Sequence, residues 1–327
     1  MATYKEINGT NIEILSSDPT NPLLGQIWYN STTNTLKGLG FIATSSWATG
    51  GTMGTGRDQT TGAGSKNAAL AFGGGYPAKT NTEKYDGTSW TSANSLNTGR
   101  RNASGFGTQT AAICAGGLDP TMANVEIWNG SNWTETTNIN TARSALRGVG
   151  TTTAGLVYGG YTSTNVAITE TWNGSAWTEV ANMNTARASL GGAGTATAAL
   201  AFNGGPQANV GPAKYNTESW NGSAWTTLSS PSNTNTSAEG VGSSGSQTSA
   251  IVFGGSIYAS SGPNARTELW NGSAWTETSD LNSGRAGVGS GSGGTNQAAI
   301  CFGGSSNTNA TEECTGSGPS VQTFSDA

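Results

Sequence analysis

The 327-residue chain contains no histidine at all. That absence removes triads of the Ser-His-Asp kind and most metal sites, because the imidazole is their usual base or ligand. Charge is scarce as well: 14 lysines and arginines and 19 acidic residues make 10% of the chain, with a net charge of −5. Such a surface offers no basic field, so neither nucleic acid nor an anionic membrane is an expected partner. The three cysteines, Cys114, Cys301 and Cys314, include no Cys-x-x-Cys pair, which excludes a disulfide framework and a zinc site. Cys114 and Cys301 lie in apolar runs and read as inert buried thiols; a Cys301–Cys314 bond between strands is left open. The first residues, Met-Ala-Thr-Tyr-Lys-Glu-Ile, lack an apolar leader core, so no signal peptide is expected. No run is long enough to span a membrane. Glycosidase chemistry needs two carboxylates about 5–10 Å apart. Most of the acidic residues here recur at repeat-equivalent positions; Asp58, Asp119 and Glu239 are irregular, and nothing in the sequence joins them. The Gly-x-Gly run from Gly289 to Gly294 has no helix after it, so it does not read as a phosphate cradle. No catalytic residue, metal or cofactor is expected.

What the chain does contain is glycine, 50 residues, and tryptophan, 11 residues. The tryptophans come in a phrase. Trp172-Asn173-Gly174-Ser175-Ala176-Trp177-Thr178 returns at Trp220 to Thr226 and Trp270 to Thr276, with looser copies at Tyr85 to Trp90 and Trp128 to Trp133. Asn-Gly or Asp-Gly between aromatic, Thr-rich flanks predicts a hairpin, with both turn residues at positive φ. That turn also accounts for the Asn-Gly-Ser triplets, which otherwise look like glycosylation acceptors. The second tryptophan falls at Trp47, Trp90, Trp133, Trp177, Trp225 and Trp275, in steps of 43, 43, 44, 48 and 50 residues. A period of this length built from strands and turns predicts the blade of a β-propeller. One blade cannot bury its faces alone, so blades stack on one another and the ring closes.

Each unit adds further landmarks. Arg57, Arg100, Arg143, Arg187 and Arg285 open their units and are followed by small residues, which suit an innermost strand crowded around a channel. The fifth unit has Ala238 at that position. A short apolar run follows: Ala69 to Phe72, Ala112 to Ala115, Leu156 to Tyr158, Ala199 to Phe202, Ile251 to Phe253 and Ala299 to Phe302. Continuous apolarity predicts a strand buried on both faces. Each run leads to a glycine pair: Gly73-Gly74, Gly116-Gly117, Gly159-Gly160, Gly204-Gly205, Gly254-Gly255 and Gly303-Gly304. A loop of variable length then precedes the aromatic hairpin. Cys314 stands where other units have a tryptophan.

These residues resemble the Kelch repeat over roughly 41–327. The shared pattern is Gly-Gly after an apolar strand, an aromatic on the third strand, a tryptophan on the fourth and an arginine opening the next unit. The turn between aromatic and tryptophan is shorter than is usual in that family. The resemblance implies an all-β, Kelch-like propeller of six blades, with seven as the alternative. Copper oxidases built on such propellers use histidine ligands, which are missing here. Ring closure is expected from residues 41–47 completing the last blade, which runs to Phe324, or from 26–47 building a partial seventh with the C-terminus. Residues 1–40 read as a separate arm and hairpin, with the propeller at 41–327.

At one place per repeat, Trp90, Trp133, Trp177, Trp225 and Trp275 are expected to pack between blades. The repeated arginines read as structural clasps, with Glu170, Glu218 and Glu268 as partners. Recognition is left to the variable loops, which should emerge on one face with the connections between blades. Tyr76, Tyr161, Tyr215, Tyr258 and Arg266 are the expected contact residues. The hairpin at 25–37, Gly-Gln-Ile-Trp-Tyr-Asn-Ser-Thr-Thr-Asn-Thr-Leu-Lys, is similar to segments of tail-fibre and other virion proteins of tailed bacteriophages. That resemblance implies a non-enzymatic virion component of the tail or fibre apparatus, serving attachment to the host surface. It would be made in the host cytoplasm, mounted on other virion proteins through its N-terminal region and oligomeric within the particle, touching a host glycan or protein. A capsid-decorating or tail-structural protein and a polysaccharide-degrading enzyme are the competing readings.

Overall fold

In the computed structural model, the residues described are 12–19, 26–42, 45–205, 216–228, 238–257, 262–316 and 318–324. They divide into two compact units, with boundaries at Ser45 and Gly316. The larger unit, Ser46–Thr315, is a six-bladed β-propeller of four-stranded antiparallel blades. Blade I is Thr61–Ser65, Ala68–Phe72, Thr82–Tyr85 and Trp90–Ala93. Blade II is Ser104–Gly107, Ala112–Ala115, Val125–Trp128 and Trp133–Thr136. Blade III is Arg147–Gly150, Gly155–Tyr158, Thr169–Trp172 and Trp177–Val180. Blade IV is Gly191–Gly194, Ala199–Phe202, Glu218–Trp220 and Trp225–Thr227. Blade V is Gly242–Gly245, Ala250–Phe253, Thr267–Trp270 and Trp275–Glu277.

Blade VI joins the two ends of this unit. Its strands Gly289–Ser290, Ile300–Phe302 and Thr311–Thr315 are completed by Ser46–Thr49, which pairs Trp47 with Cys314. The last blade therefore ends at Thr315, not at Phe324 as the repeat suggested. The strand Gly318–Phe324 pairs instead with Thr35–Ile42 in the smaller unit, where the sheet order continues through Ile27–Asn30 to Glu13–Leu15. The expected 1–40 and 41–327 division becomes an interleaved one for this reason.

Six apolar clusters occupy the six interfaces between blades. Each second strand is buried on both sides and serves two of them. In blade I, Leu70 and Phe72 join the blade I–II cluster, while Ala69 and Ala71 face blade VI. In blade IV, Leu200 and Phe202 face blade V, and Ala199 and Ala201 face blade III. The large side chains of one blade thus meet the small ones and the tryptophan of the next. Trp133 meets Phe72 edge-on at 4.8 Å, Trp275 meets Phe202 at 4.7 Å, and Trp47 meets Phe253 at 4.8 Å.

The same indoles carry a hydrogen bond across each interface. Trp133 Nε1 donates to Thr82 Oγ1 (2.9 Å), Trp225 to Thr169 Oγ1 (3.1 Å), Trp275 to Thr217 Oγ1 (3.0 Å) and Trp47 to Thr267 Oγ1 (3.1 Å). Trp90, which is only half-buried, donates to Thr311 Oγ1 and so ties blade I to blade VI. Blade II starts its third strand with Val125, which has no hydroxyl, and Trp177 donates to the carbonyl of Thr137 instead. Cys114, Cys301 and Cys314 are buried free thiols. Burial pushes Cys114 and Cys301 up to about 12 and Cys314 to about 11.

The hairpins differ in detail from the expectation. Trp172 pairs directly with Trp177, leaving a four-residue loop, and only Gly174 takes positive φ. Asn173 acts through its side chain: Oδ1 accepts the amides of Ser175 and Ala176, both at 2.9 Å. This is an Asx turn, which asparagine favours because its side chain imitates a backbone carbonyl. The glycine pairs have a separate cause. Gly116 has φ 65°, and a Cβ there would lie 2.5 Å from the carbonyl oxygen of Arg143, which opens the next blade. Gly117 N donates to that same oxygen at 3.0 Å. In blade IV the pair is shifted by one: Asn203 (φ 54°) and Gly204 (φ 72°) take these places, not Gly204 and Gly205.

In the smaller unit, Asp18 gathers three donors: Trp28 Nε1 (3.1 Å), Asn30 Nδ2 (2.7 Å) and Lys37 Nζ (2.8 Å). The lysine bond first, then the asparagine and indole bonds, hold its pKa near 2, below the ordinary 3.8. A depressed carboxylate pKa gives stability that is fully present above 3.8 and is lost as the pH falls through about 2. The Trp28 indole N–H resonance, followed by NMR, should therefore hold its position down to pH 4 and shift only between roughly pH 3 and 1.5. A midpoint near 4 would show that the cluster does not form.

Candidate functional site

Five buried ion pairs stand behind the loops. Arg57 meets Glu83 at 2.9 Å, Arg100 meets Glu126 at 2.5 Å and Arg187 meets Glu218 at 2.8 Å; Arg143 pairs with Glu170 and Arg285 with Glu312. The first four arginines are fully buried. Burial pulls the pKa of Arg57, Arg143 and Arg187 down, and the paired glutamate opposes it. The second guanidinium nitrogen grips the base of the variable loop. Arg57 Nη1 donates to the carbonyls of Gly73 (3.1 Å) and Asn81 (2.8 Å), and Arg187 Nη1 to those of Asn203 (3.2 Å) and Asn216 (2.7 Å). Both roots of a loop are held together whatever its length.

The glutamates also hold the connection that enters each blade. Glu126 Oε2 accepts from Asn97 N and Nδ2, and Asn97 Nδ2 also donates to the carbonyl of Trp133. Asn140, Asn184 and Asn282 repeat this, each three residues before its arginine. These asparagines were visible as a recurring Asn-x-x-Arg but gave no hint of their role. Glu268 is buried in the equivalent place, yet its blade carries Ala238 where the others have arginine. Backbone pairing is extended there: Ala238–Glu239, Ser256–Ile257 and Gly262–Pro263 form a small three-stranded sheet. Blades II, III and IV have only isolated bridges at this point, such as Arg101 to Leu118 and Ser144 to Tyr161. Those bridges place the loops and the blade connections on one face, as expected.

Of the five expected contact residues, Tyr215 and Tyr258 lie outside the described residues. Tyr76 is 76% exposed. Tyr161 and Arg266 are half-buried, and the three belong to blades I, III and V, so they do not gather. What does gather is a cluster on the rim of blades I and II. The Arg101 guanidinium lies 5.4 Å from the Tyr76 ring centre. Asp119 Oδ2 holds Arg101 Nε at 2.6 Å, and Gln59 Oε1 accepts from Arg101 Nη1. The carbonyl of Asp58 accepts from Gly75 N at 2.7 Å, which fixes the loop behind Tyr76. Asp58 and Asp119, unconnected in the sequence, are thus on the same rim. Arg101 was masked by Arg100 beside it; its departure from the repeat was the available signal.

Inside this rim runs a collar. Gln59, Asn102, Ala145, Ser189, Gly240 and Gly287, one from each blade, all have φ between 48° and 66°. Asn102 N donates to Gln59 O, Ala145 N to Asn102 O, Ser189 N to Ala145 O, Gly240 N to Ser189 O and Gly287 N to Gly240 O, at 2.7–3.1 Å. The collar frames the mouth of the central channel, a small cavity of about 80 Å³ that opens to solvent. At the other end the glycine run crosses the channel: Gly293 N donates to Gly64 O at 2.8 Å, and a Cβ on Gly293 would touch the carbonyls of both Gly64 and Gly107. The glycines there serve close backbone approach.

Fold and site together define a six-bladed β-propeller with a loop face on clamped roots and a cup at its centre. A solved structure described as "Structure of YjhT" is similar, with a TM-score of 0.64 at 14% identity, covering 83% of this chain and 99% of that one. At that identity the likeness shows the fold alone. No protein-family model matches the chain, and no curated protein does.

Proposed function

We propose that this chain is a Kelch-type propeller of a tailed-bacteriophage virion, in the tail or tail-fibre apparatus, and that its loop face attaches the particle to a host-surface glycan without catalysing a reaction. The observation that carries the reading is the rim cluster. An exposed aromatic ring offers a sugar a flat apolar face, and Arg101, Asp119 and Gln59 beside it offer donors and acceptors for hydroxyls. The arginine clasps support it, because a pre-ordered loop loses less entropy on binding. The smaller unit, which contains the hairpin similar to virion segments, supplies a separate body for mounting on other virion proteins.

The test is binding of purified protein to host cells and to their extracted surface polysaccharide. Tyr76→Ala and Arg101→Ala should each weaken binding about tenfold, equivalent to about 1.4 kcal/mol. Copurification with particles without any cell binding would favour the decorating role instead. Release of reducing ends from the polysaccharide would favour the enzyme.

A further inference from the structure

The channel cup holds an arginine outside the repeat series. Arg147 opens the inner strand of blade III, at the place where the other blades carry Thr61, Ser104, Gly191, Gly242 and Gly289. Its Nη2 donates to the carbonyls of Gly192 and Ser243, both at 3.2 Å, so the guanidinium leans over the inner strands of blades IV and V. Its Nε is buried without a partner. On the neighbouring inner strand, Ser104 is 2% exposed, and its hydroxyl also has no partner. Both residues line the cup.

The contrast with the clasps is chemical. Arg57, Arg100, Arg143, Arg187 and Arg285 each face a glutamate. Among the described residues no carboxylate pairs with Arg147. Burial disfavours its cation, and Tyr158 is the ionisable neighbour that acts on it. A hydroxyl of blade V and one of blade VI are already committed: Ser243 Oγ donates to Gly192 O, and Ser290 Oγ to Ser243 O. Arg147 Nε and Ser104 Oγ are themselves sealed from solvent, but Arg147 Nη1 makes no hydrogen bond among the described residues and is not one of the sealed atoms. A cation without a counter-charge thus offers a free donor to an open-mouthed cup, half of an ion pair. Buried polar groups are as a rule satisfied, and a guanidinium is matched best by a planar oxyanion.

We propose that the channel mouth is a binding site for one carboxylate group, held by the Arg147 guanidinium. The site is separate from the rim cluster and stands whether or not the loop face attaches to a host. The carboxylate can come from a small free acid or from a uronic-acid residue of a glycan.

The experiment is a thermal-unfolding and calorimetric titration of the full chain with sodium acetate, sodium glucuronate and glucose at constant ionic strength. Acetate or glucuronate should raise the unfolding temperature in a saturable manner, and glucose should not. A response to acetate as strong as that to glucuronate indicates a free acid; a stronger response to glucuronate indicates the sugar-borne group. Arg147→Gln should abolish the shift. No saturable shift in the wild-type chain overturns the proposal. So does an undiminished shift in Arg147→Gln, or, should that variant fail to fold, in Arg147→Met.

Discussion

Trp225→Ala is expected to destabilise the propeller by about 3–5 kcal/mol, read from urea unfolding followed by circular dichroism. Trp225 is 6% exposed and lies between blades III and IV, with its ring centre 4.9 Å from that of Tyr158. Truncation removes apolar burial, leaves a void that strands on both sides frame, and strips the Thr169 hydroxyl of its indole donor. Trp225→Phe separates these effects. It keeps most of the ring and loses the hydrogen bond, so its cost should be nearer 1 kcal/mol. Trp177→Ala belongs to the same class, although its bond runs to a backbone carbonyl and its interface holds Ala115 where others hold an aromatic. If Trp225→Ala costs under 1 kcal/mol, the indoles are not what couples neighbouring blades.

Glu126→Leu should cost about as much, roughly 3–5 kcal/mol, because it leaves Arg100 buried at zero exposure with no counter-charge. Replacing both partners by apolar residues is often close to neutral in other proteins. Here it should recover only part of the loss. Glu126 also accepts the backbone amides of Asn97 at 2.8 Å and Thr98 at 3.3 Å, and the double variant Arg100→Leu, Glu126→Leu orphans both. The single and double variants, compared by the same urea titration, divide the charge effect from the amide effect. A double variant as stable as the wild type would show that the clasp matters only for its charge balance. Either variant should also loosen the loop roots at Gly116 and Asn124, which Arg100 Nη1 holds. Hydrogen exchange of the 117–123 amides would report that directly.

The sequence was informative wherever a contact repeats once per blade. Trp133, Trp225 and Trp275 stand at equal repeat positions, and the period alone placed them between blades. The landmarks marked Glu170 and Glu218 as partners for the repeated arginines, and the structure pairs them with Arg143 and Arg187. Glu268 broke the rule for a reason also printed in the chain, the alanine at 238. The turn was misjudged in its geometry, since Asn-Gly suggests two residues at positive φ, while here the asparagine side chain caps a four-residue loop.

The sequence by itself determined the blade and the role of each strand, because both rest on contacts within a unit or with the next; it favoured six blades and left seven open. Of the two closures that the sequence left open, the tertiary structure has the one in which the segment around Trp47 completes the last blade. The last unit has no fourth strand after its third, which carries Cys314; Ser46–Thr49 supplies it, and Gly318–Phe324 pairs elsewhere. The tertiary structure alone set the collar, the Tyr76–Arg101–Asp119 rim and the placing of Arg147 in the channel cup. The rim and the arginine depart from the repeat, and the collar, though it stands two residues after each arginine position, varies in residue type, so no recurring residue marks them. They become neighbours only when the ring brings six inner strands around one axis.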